Sequence, residues 1–229
     1  MKPLIIIPTY NETENIENLV AQLSNYHLLI IDDNSPDGTG ELLEKLKTAN
    51  NKLAVIHRPK KMGLGTAYIQ GFQWALRRDF DCIFTLDADF SHNPDYLPEF
   101  LKHLQTNDLV IGSRYVSGGG VVNWPIRRKI ISRCGNLYAK NVLRYSINDS
   151  TSGFTGFRRE VLEKINLDEV KSEGYGFLFE MKYRTYKLGY KIVEHPIIFV
   201  NRTLGESKIS KNIIWEAIFL VWKLRLKLS

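Results

Sequence analysis

The sequence predicts an α/β protein with a mostly parallel central sheet flanked by helices, in a Rossmann-like layout. Three observations predict it. Short, nearly continuous apolar runs recur through the first half of the chain, helix-period segments separate them, and clusters of polar residues follow most of the runs.

In chain order, Leu4–Ile7 reads as the first buried strand and Glu14–Leu23 as the helix that follows it. Leu28–Ile31, Leu53–Ile56, Cys82–Leu86 and Leu109–Ile111 are the next strands, with helices at Gly40–Leu46, Thr66–Arg77 and Pro94–Leu104 between them. After Arg114 a glycine-rich connection, Gly118 to Gly120, leads into a segment that reads as helical from Pro125 to about Leu143. Lys191–Val200 is strand-like but split by Pro196, which has no N–H to give a ladder, so an edge position or a bend is expected. No repeat, low-complexity linker or second-domain boundary interrupts this pattern. Ligands of such sheets sit beyond the carboxyl ends of the strands. There the chain places Pro8-Thr9-Tyr10-Asn11-Glu12, Asp32 to Thr39, Asp87-Ala88-Asp89 and Gly112-Ser113-Arg114, converging on one edge.

With 229 residues, 44% apolar and 24% charged, the chain can bury a core and is not a disordered polymer. Its net charge of +6 is unevenly distributed. Residues 1–108 sum to −5, whereas 109–148 hold seven cations (Arg114, Arg127, Arg128, Lys129, Arg133, Lys140, Arg144) and no acid; the tail from Ser207 is +4. Cys82 and Cys134 lie far apart without metal or redox spacing, as expected of two idle thiols in a reducing compartment. The apolar run at the N-terminus is too short for a signal peptide. The longest apolar stretch, Ile213–Trp222, is ten residues interrupted by Glu216, against the roughly 20 that cross a bilayer.

Asp87-Ala88-Asp89 is the sharpest chemical feature. In extended chain, residues two apart point the same way, so both carboxylates can face one hard cation, Mg²⁺ or Mn²⁺, whose shell substrate phosphates and water usually complete. A solvated loop or a helix cap suits an isolated Asp-x-Asp equally well; its place after a buried strand, facing other acidic loops, favours the metal. Asp33 is assigned to a ribose or base, and the rest of that loop to a turn with Thr39 capping the next helix. Gly63-Leu64-Gly65 fits either close backbone packing or a phosphate approach. The basic middle segment has no interleaved aromatic platform for single-stranded nucleic acid, so a phosphate-bearing or membrane-held substrate is favoured and nucleic acid is not expected. For Arg127, Lys129, Arg133, Lys140 and Arg144 taken singly, a solvated helix face is the favoured reading. The tail, with Trp215, Trp222 and several Ile, Leu and Val beside Lys223, Arg225 and Lys227, suits either a helix in an anionic membrane interface or one docked on the core.

Taken together, Pro8 to Glu12, Asp32 to Thr39, Gly63-Leu64-Gly65-Thr66-Ala67-Tyr68, Asp87-Ala88-Asp89-Phe90-Ser91-His92, Gly112-Ser113-Arg114-Tyr115 and Gly205-Glu206-Ser207-Lys208 resemble, in order, the motifs of family 2 glycosyltransferases. Within that family the chain is similar to the short dolichyl- or polyprenyl-phosphate mannosyltransferases. The resemblance runs from about Leu4 to Lys208 and implies a GT-A fold over residues 1–208, followed by a C-terminal amphipathic helix at 209–229. It also implies transfer of mannose from GDP-mannose to dolichyl or polyprenyl monophosphate, with inversion. By the same resemblance, Pro8, Tyr10, Glu12, Ile31, Asp33, Asp87, Ala88, Asp89, Arg202 and Lys208 bind the donor. Asp87, Asp89 and Ser91 are metal-proximal, Ser91 standing where some relatives place Gln and acting directly or through water. Arg114, Arg128 and Ser132 hold the acceptor phosphate, so Asp89, Arg114 and Arg128 carry the catalysis. Relatives without membrane helices associate peripherally, some through small membrane-anchoring subunits, and the expected location is the cytoplasmic face of a membrane. A family 2 enzyme using a UDP-sugar, such as a polyprenyl-phosphate glucosyltransferase, is the alternative; a non-catalytic nucleotide-binding module is the reading from another class.

Overall fold

The computed structural model describes residues 1–172, 174–201 and 219–226. Its first half alternates strand and helix: β1 (Pro3–Thr9), α1 (Thr13–Gln22), β2 (His27–Asp32), α2 (Thr39–Ala49), β3 (Leu53–His57), α3 (Leu64–Leu76), β4 (Cys82–Thr85), α4 (Leu97–His103) and β5 (Leu109–Ser113). The apolar runs are these strands. β1, β2, β3 and β4 pair in parallel, in the order β3-β2-β1-β4.

Both faces of this sheet are covered, which explains why the runs do not alternate with polar residues. Leu4 and Ile6 enter one apolar cluster together with Leu29 and Ile31, while Ile5 and Ile7 enter the other with Leu28 and Ile30. All four β1 residues from Leu4 to Ile7 are fully buried. Each such side chain contributes about 1.5–3 kcal/mol of burial free energy, so a shift of strand register would be costly on both sides.

The second half departs from simple alternation. β6 (Gly120–Val122), α5 (Ile126–Leu143), β7 (Thr155–Arg158), α6 (Arg159–Lys164), α7 (Tyr175–Lys187), β8 (Ile192–Pro196) and β9 (Ile198–Val200) complete the described elements. β7 inserts antiparallel between β4 and β5, giving a seven-stranded sheet in the order β3-β2-β1-β4-β7-β5-β8. Gly156 makes this insertion possible: a Cβ there would lie 2.3 Å from the Phe84 ring. The expected break at Pro196 is realised in both senses. β8 is the sheet's outer strand beside β5, and immediately beyond Pro196 the chain leaves to pair β9 with β6 in a separate two-stranded ribbon.

Thr39 does not cap α2. Gly38 precedes that helix without a side-chain cap, and the Thr39 hydroxyl instead accepts from the Glu12 backbone N–H (3.0 Å) and donates to Asp37 (2.6 Å), joining the loops after β1 and β2. Residues 219–226 are helical. Val221 and Leu224 are buried in the core and Leu220 packs over Gly176, while Phe219, Trp222 and Leu226 face outward. The tail helix is therefore docked on one side and apolar on the other.

Candidate active site

Parallel strands end their ladders together, so the loops after β1, β2 and β4 surround one cavity of about 330 Å³. Pro8, Tyr10, Glu12, Asp33, Asp87, Ala88, Asp89, Ser91 and Arg128 all line it, which brings together most of the side chains expected from the sequence. Three others stand back from it. Ile31 is fully buried in the core against Gly71, so its side chain is structural. Ser132, one helical turn beyond Arg128, accepts a hydrogen bond from the Tyr115 hydroxyl (2.7 Å). Arg114 is buried behind the cavity wall. Arg202 and Lys208 lie outside the described residues.

On the side of β1 and β2, the Asp33 carboxylate takes an ion pair from the buried Arg58 on one oxygen and backbone N–H groups of Met62 and Gly63, both at 3.1 Å, on the other. Arg58 also donates to Thr66 Oγ1 (2.7 Å) and to the Gly63 carbonyl (2.9 Å). Asp33 thus ties down the Gly63-Leu64-Gly65 turn as well as facing the cavity. Sequence reasoning missed Lys61, whose ammonium sits 3.8 Å from the centre of the Tyr10 ring at the cavity wall.

Beyond β4, Asp89 receives the Ser91 backbone N–H on Oδ1 (3.0 Å). Gly153 lies against Asp87: a Cβ at that position would be 3.3 Å from both carboxylate oxygens. Beneath Asp87 sits His92, fully buried between the Phe154 and Phe199 rings, with Nδ1 3.4 Å from Asp87 Oδ2. Burial, reinforced by the charge of Arg114, pushes the His92 pKa down to about 4, so it is neutral at pH 7. Two carboxylates on one cavity wall are the donor set a hard divalent cation takes when phosphate and water complete its shell. Among the described residues no group of three or more His, Cys, Asp or Glu is arranged to hold a metal ion by itself, so the pair fits a cation shared with a substrate better than a closed protein cage.

On the α5 side, the Arg128 guanidinium lies 4.1 Å over the Trp124 ring and donates to Asn201 Oδ1 (2.9 Å). Asn201 and Phe199, neither of which carried a signal in the sequence, close this wall through β9. Arg114 gives its backbone N–H (2.9 Å), Nε (2.7 Å) and Nη2 (2.6 Å) to Asp149, with Nη2 also donating to Thr151 (2.6 Å). Burial alone would raise the Asp149 carboxyl pKa, but Arg114 more than offsets it and holds it below the ordinary value. Nε and Nη2 of Arg114 thus bond to Asp149 and Thr151, and the residue is not among those that line the cavity.

A carboxylate pair after the fourth strand, a nucleotide-sized cavity and a basic wall are what a sugar-nucleotide transferase needs, and residues 4–166 match the family model described as Glycosyl transferase family 2. The chain belongs to glycosyl transferase family 2. It is a glycosyltransferase with a GT-A fold. It is 46% identical over 222 residues to the undecaprenyl-phosphate mannosyltransferase of Micrococcus luteus, covering 95% of this chain and 91% of the relative. It is 45% identical over 236 residues to the polyprenol monophosphomannose synthase of Mycolicibacterium smegmatis, covering 100% and 89%. Among solved structures, the mannosyltransferase PcManGT of Pyrobaculum calidifontis, in complex with GDP-Man and Mn2+, superposes with a TM-score of 0.58 at 15% identity, over 99% of this chain and 73% of that one. GalNAc-T7 with UDP, GalNAc and Mn2+ gives 0.62 at 16% identity, over 100% and 47%. These two likenesses concern the fold.

Proposed function

We propose that this glycosyltransferase transfers mannose from GDP-mannose to a polyprenyl monophosphate, with inversion at the anomeric carbon. The observation that carries the reading is the joining, in one cavity, of the Asp87/Asp89 pair to Arg128, in a chain whose full-length relatives are named for mannosyl transfer to such lipids.

A phosphate monoester has its second pKa near 6, so the acceptor is already a nucleophile at pH 7 and no general base is needed. The site's task is to align acceptor oxygen, anomeric carbon and leaving diphosphate, and to stabilise charge on that diphosphate. Asp87 and Asp89 would hold Mg²⁺ or Mn²⁺, with Ser91 keeping Asp89 oriented; the cation supplies the positive charge that the departing diphosphate requires. Pro8, Tyr10, Glu12 and Asp33 form the nucleoside end. Arg128 orients the acceptor phosphate, Arg114 and Ser132 support it from behind, and Arg202 and Lys208 are assigned to the donor diphosphate.

The acceptor's lipid calls for contact with a membrane. No helix among the described residues is long and apolar enough to cross one, but α5 exposes Ile126, Ile130 and Leu137, a four- and seven-residue spacing that places them on one face. The tail helix exposes Phe219, Trp222 and Leu226 and is joined to α5 by a hydrogen bond between Trp222 and Tyr138. These two helices, flanked by Arg127, Lys129, Lys223 and Arg225, suit peripheral seating on an anionic bilayer, at the cytoplasmic face where the sugar nucleotide is met.

The test is a donor-by-acceptor matrix: GDP-mannose, UDP-glucose and UDP-N-acetylglucosamine, each with a short prenyl phosphate and Mg²⁺ or Mn²⁺. Labelled mannosyl lipid from GDP-mannose alone is the expected result. Product from a uridine donor alone would replace the reading with the UDP-sugar alternative.

A further inference from the structure

Helix α7 packs into the core through Phe177, Leu178, Phe179, Met181 and Tyr183, yet in the middle of this apolar row it carries Lys182, which is 1% exposed. Burial opposes the charge on this ammonium, with Asp149 and Glu194 favouring it and Arg114 adding to the opposition, so its pKa falls to about 7. A methionine would pack in the same space without that penalty. What Lys182 does instead is donate to two carbonyls, Ser150 O at 2.9 Å and Ser152 O at 2.7 Å.

Those two carbonyls flank Thr151 in the middle of the 148–153 loop, which touches both halves of the site. At one end Asp149 pins the Arg114 backbone and guanidinium. At the other, Gly153 lies against the Asp87 carboxylate, and its carbonyl accepts from Thr85 Oγ1 (2.6 Å), two residues before Asp87. Glu194 holds the loop's start by accepting from the Asn148 and Asp149 N–H groups (2.8 and 2.9 Å), and Asn136 of α5 accepts from the Ser150 N–H (2.7 Å). Between Ser150 and Gly153, Lys182 spans the stretch that separates the two ends.

We propose that Lys182 is a positioning residue that sets the metal-side carboxylate Asp87 and the acceptor-side cation Arg114 together, by clamping the loop that abuts both. The inference rests on the reading of Asp87 and Arg114 given above. It differs from a role in folding alone, because release of the clamp shifts two ligand affinities on opposite sides of the site at once.

The experiment compares wild type with Lys182→Met and Lys182→Arg, and with two one-sided controls. Gly153→Ala pushes a methyl toward Asp87, and Thr151→Val removes the hydroxyl that accepts from Arg114 Nη2 while leaving both carbonyls that Lys182 holds. Two quantities are read: Mn²⁺ affinity in the presence of GDP, by electron paramagnetic resonance of free Mn²⁺, and KM against kcat for a short prenyl phosphate with GDP-mannose. Lys182→Met is expected to weaken Mn²⁺ binding about tenfold, the lower end for residues supporting a metal ligand, and to raise the prenyl-phosphate KM by a similar factor. Lys182→Arg, of similar volume and still a donor, should recover most of both. Gly153→Ala should move the first quantity and Thr151→Val the second.

Should the methionine variant not fold, Lys182→Gln, polar but too short to reach both carbonyls, carries the same paired readout. A folded Met or Gln variant whose two values stay within twofold of wild type overturns the proposal, even if its thermal midpoint falls. A change in only one value also overturns it, since the clamp would then serve one side. Wild-type protein that binds no Mn²⁺ with GDP and transfers no mannose would sink the functional reading and this inference with it, an outcome visible before any variant is compared.

Discussion

Two buried arginine–aspartate pairs stand on either side of the cavity and do opposite things. On the β1 and β2 side, Asp33 faces the cavity and Arg58 backs it. On the α5 side, both Arg114 and Asp149 are withdrawn from the wall, and Arg128, stacked on Trp124, takes the exposed position. The comparison shows that a segment's charge is a poor guide to the charge a ligand meets. Residues 109–148 are +7 in sequence, but the cation at the strand end is neutralised by an acid from outside that stretch. The cation of this stretch that faces the cavity, Arg128, sits two elements later, in α5.

The largest expected effect separates the ligand-facing acids from the buried ones. Asp89→Ala removes a carboxylate from the cavity and nothing from the core, so kcat should fall by at least about a hundredfold to a thousandfold, the range seen when one transition-state charge partner is lost. The thermal midpoint should stay near wild type. Activity close to wild type in saturating Mn²⁺ would refute the metal assignment.

Asp149→Ala should show the reverse weighting. It leaves the Arg114 guanidinium buried without its carboxylate, and breaking such a pair costs about 3–5 kcal/mol of stability, measurable by urea denaturation. If the loss is instead confined to the prenyl-phosphate KM with stability unchanged, Arg114 is a ligand-facing group and the contrast between the two pairs disappears.

The same contrast governs what could be read from the sequence. β1 to β5 were legible because strands buried on both faces need unbroken apolar runs, as Leu4 to Ile7 show. The site loops were legible because parallel strands deliver their ends to one edge. β7 was not, since Thr155-Gly156-Phe157-Arg158 has no apolar run and owes its place to Gly156 fitting under Phe84. Lys61, Phe199 and Asn201 reach the cavity through loop and ribbon geometry that no local pattern encodes. Lys182 did leave a trace: it lies four residues after Leu178 and one after Met181, on the apolar side of α7, where an unpaired lysine would not be tolerated. Of the two alternatives for the tail, its described part meets the docked one through Val221 and Leu224 and leaves Phe219, Trp222 and Leu226 exposed.

A smaller effect is expected at the surface. Changing Ile126, Ile130 and Leu137 together to Ser removes exposed apolar area from α5 while leaving Arg128 in place. Binding to vesicles rich in anionic lipid should drop severalfold in a flotation assay, with transfer to a detergent-solubilised short prenyl phosphate unchanged. Equal loss in both assays would mean that this face supports the fold or the site rather than the membrane.

The smallest effect sharpens the comparison on the β1 and β2 side of the cavity, where the loops are held by hydrogen bonds to an acid that pairs with no described arginine. Asp37 accepts from the Thr13 backbone N–H (3.1 Å) and from the Thr39 backbone N–H and hydroxyl (3.0 and 2.6 Å), with a further bond from the Thr13 hydroxyl. Burial, the largest single influence, raises its pKa, and these donors together outweigh it, bringing the carboxyl down to about 2 from 3.8. A depressed folded-state pKa means that the ionised form is favoured by the fold. Its contribution is therefore fully present above about pH 4 and is lost as pH falls through 2. Asp37 is exposed, so screening keeps the contribution small. Asp37→Asn should remove that acid-limb component from a plot of stability against pH while leaving the plateau near pH 7 lowered only modestly. An unchanged acid limb would show that the hydrogen bonds joining the loops after β1 and β2 hold equally well with a neutral side chain, and that this side of the cavity depends on the Asp33–Arg58 pair alone.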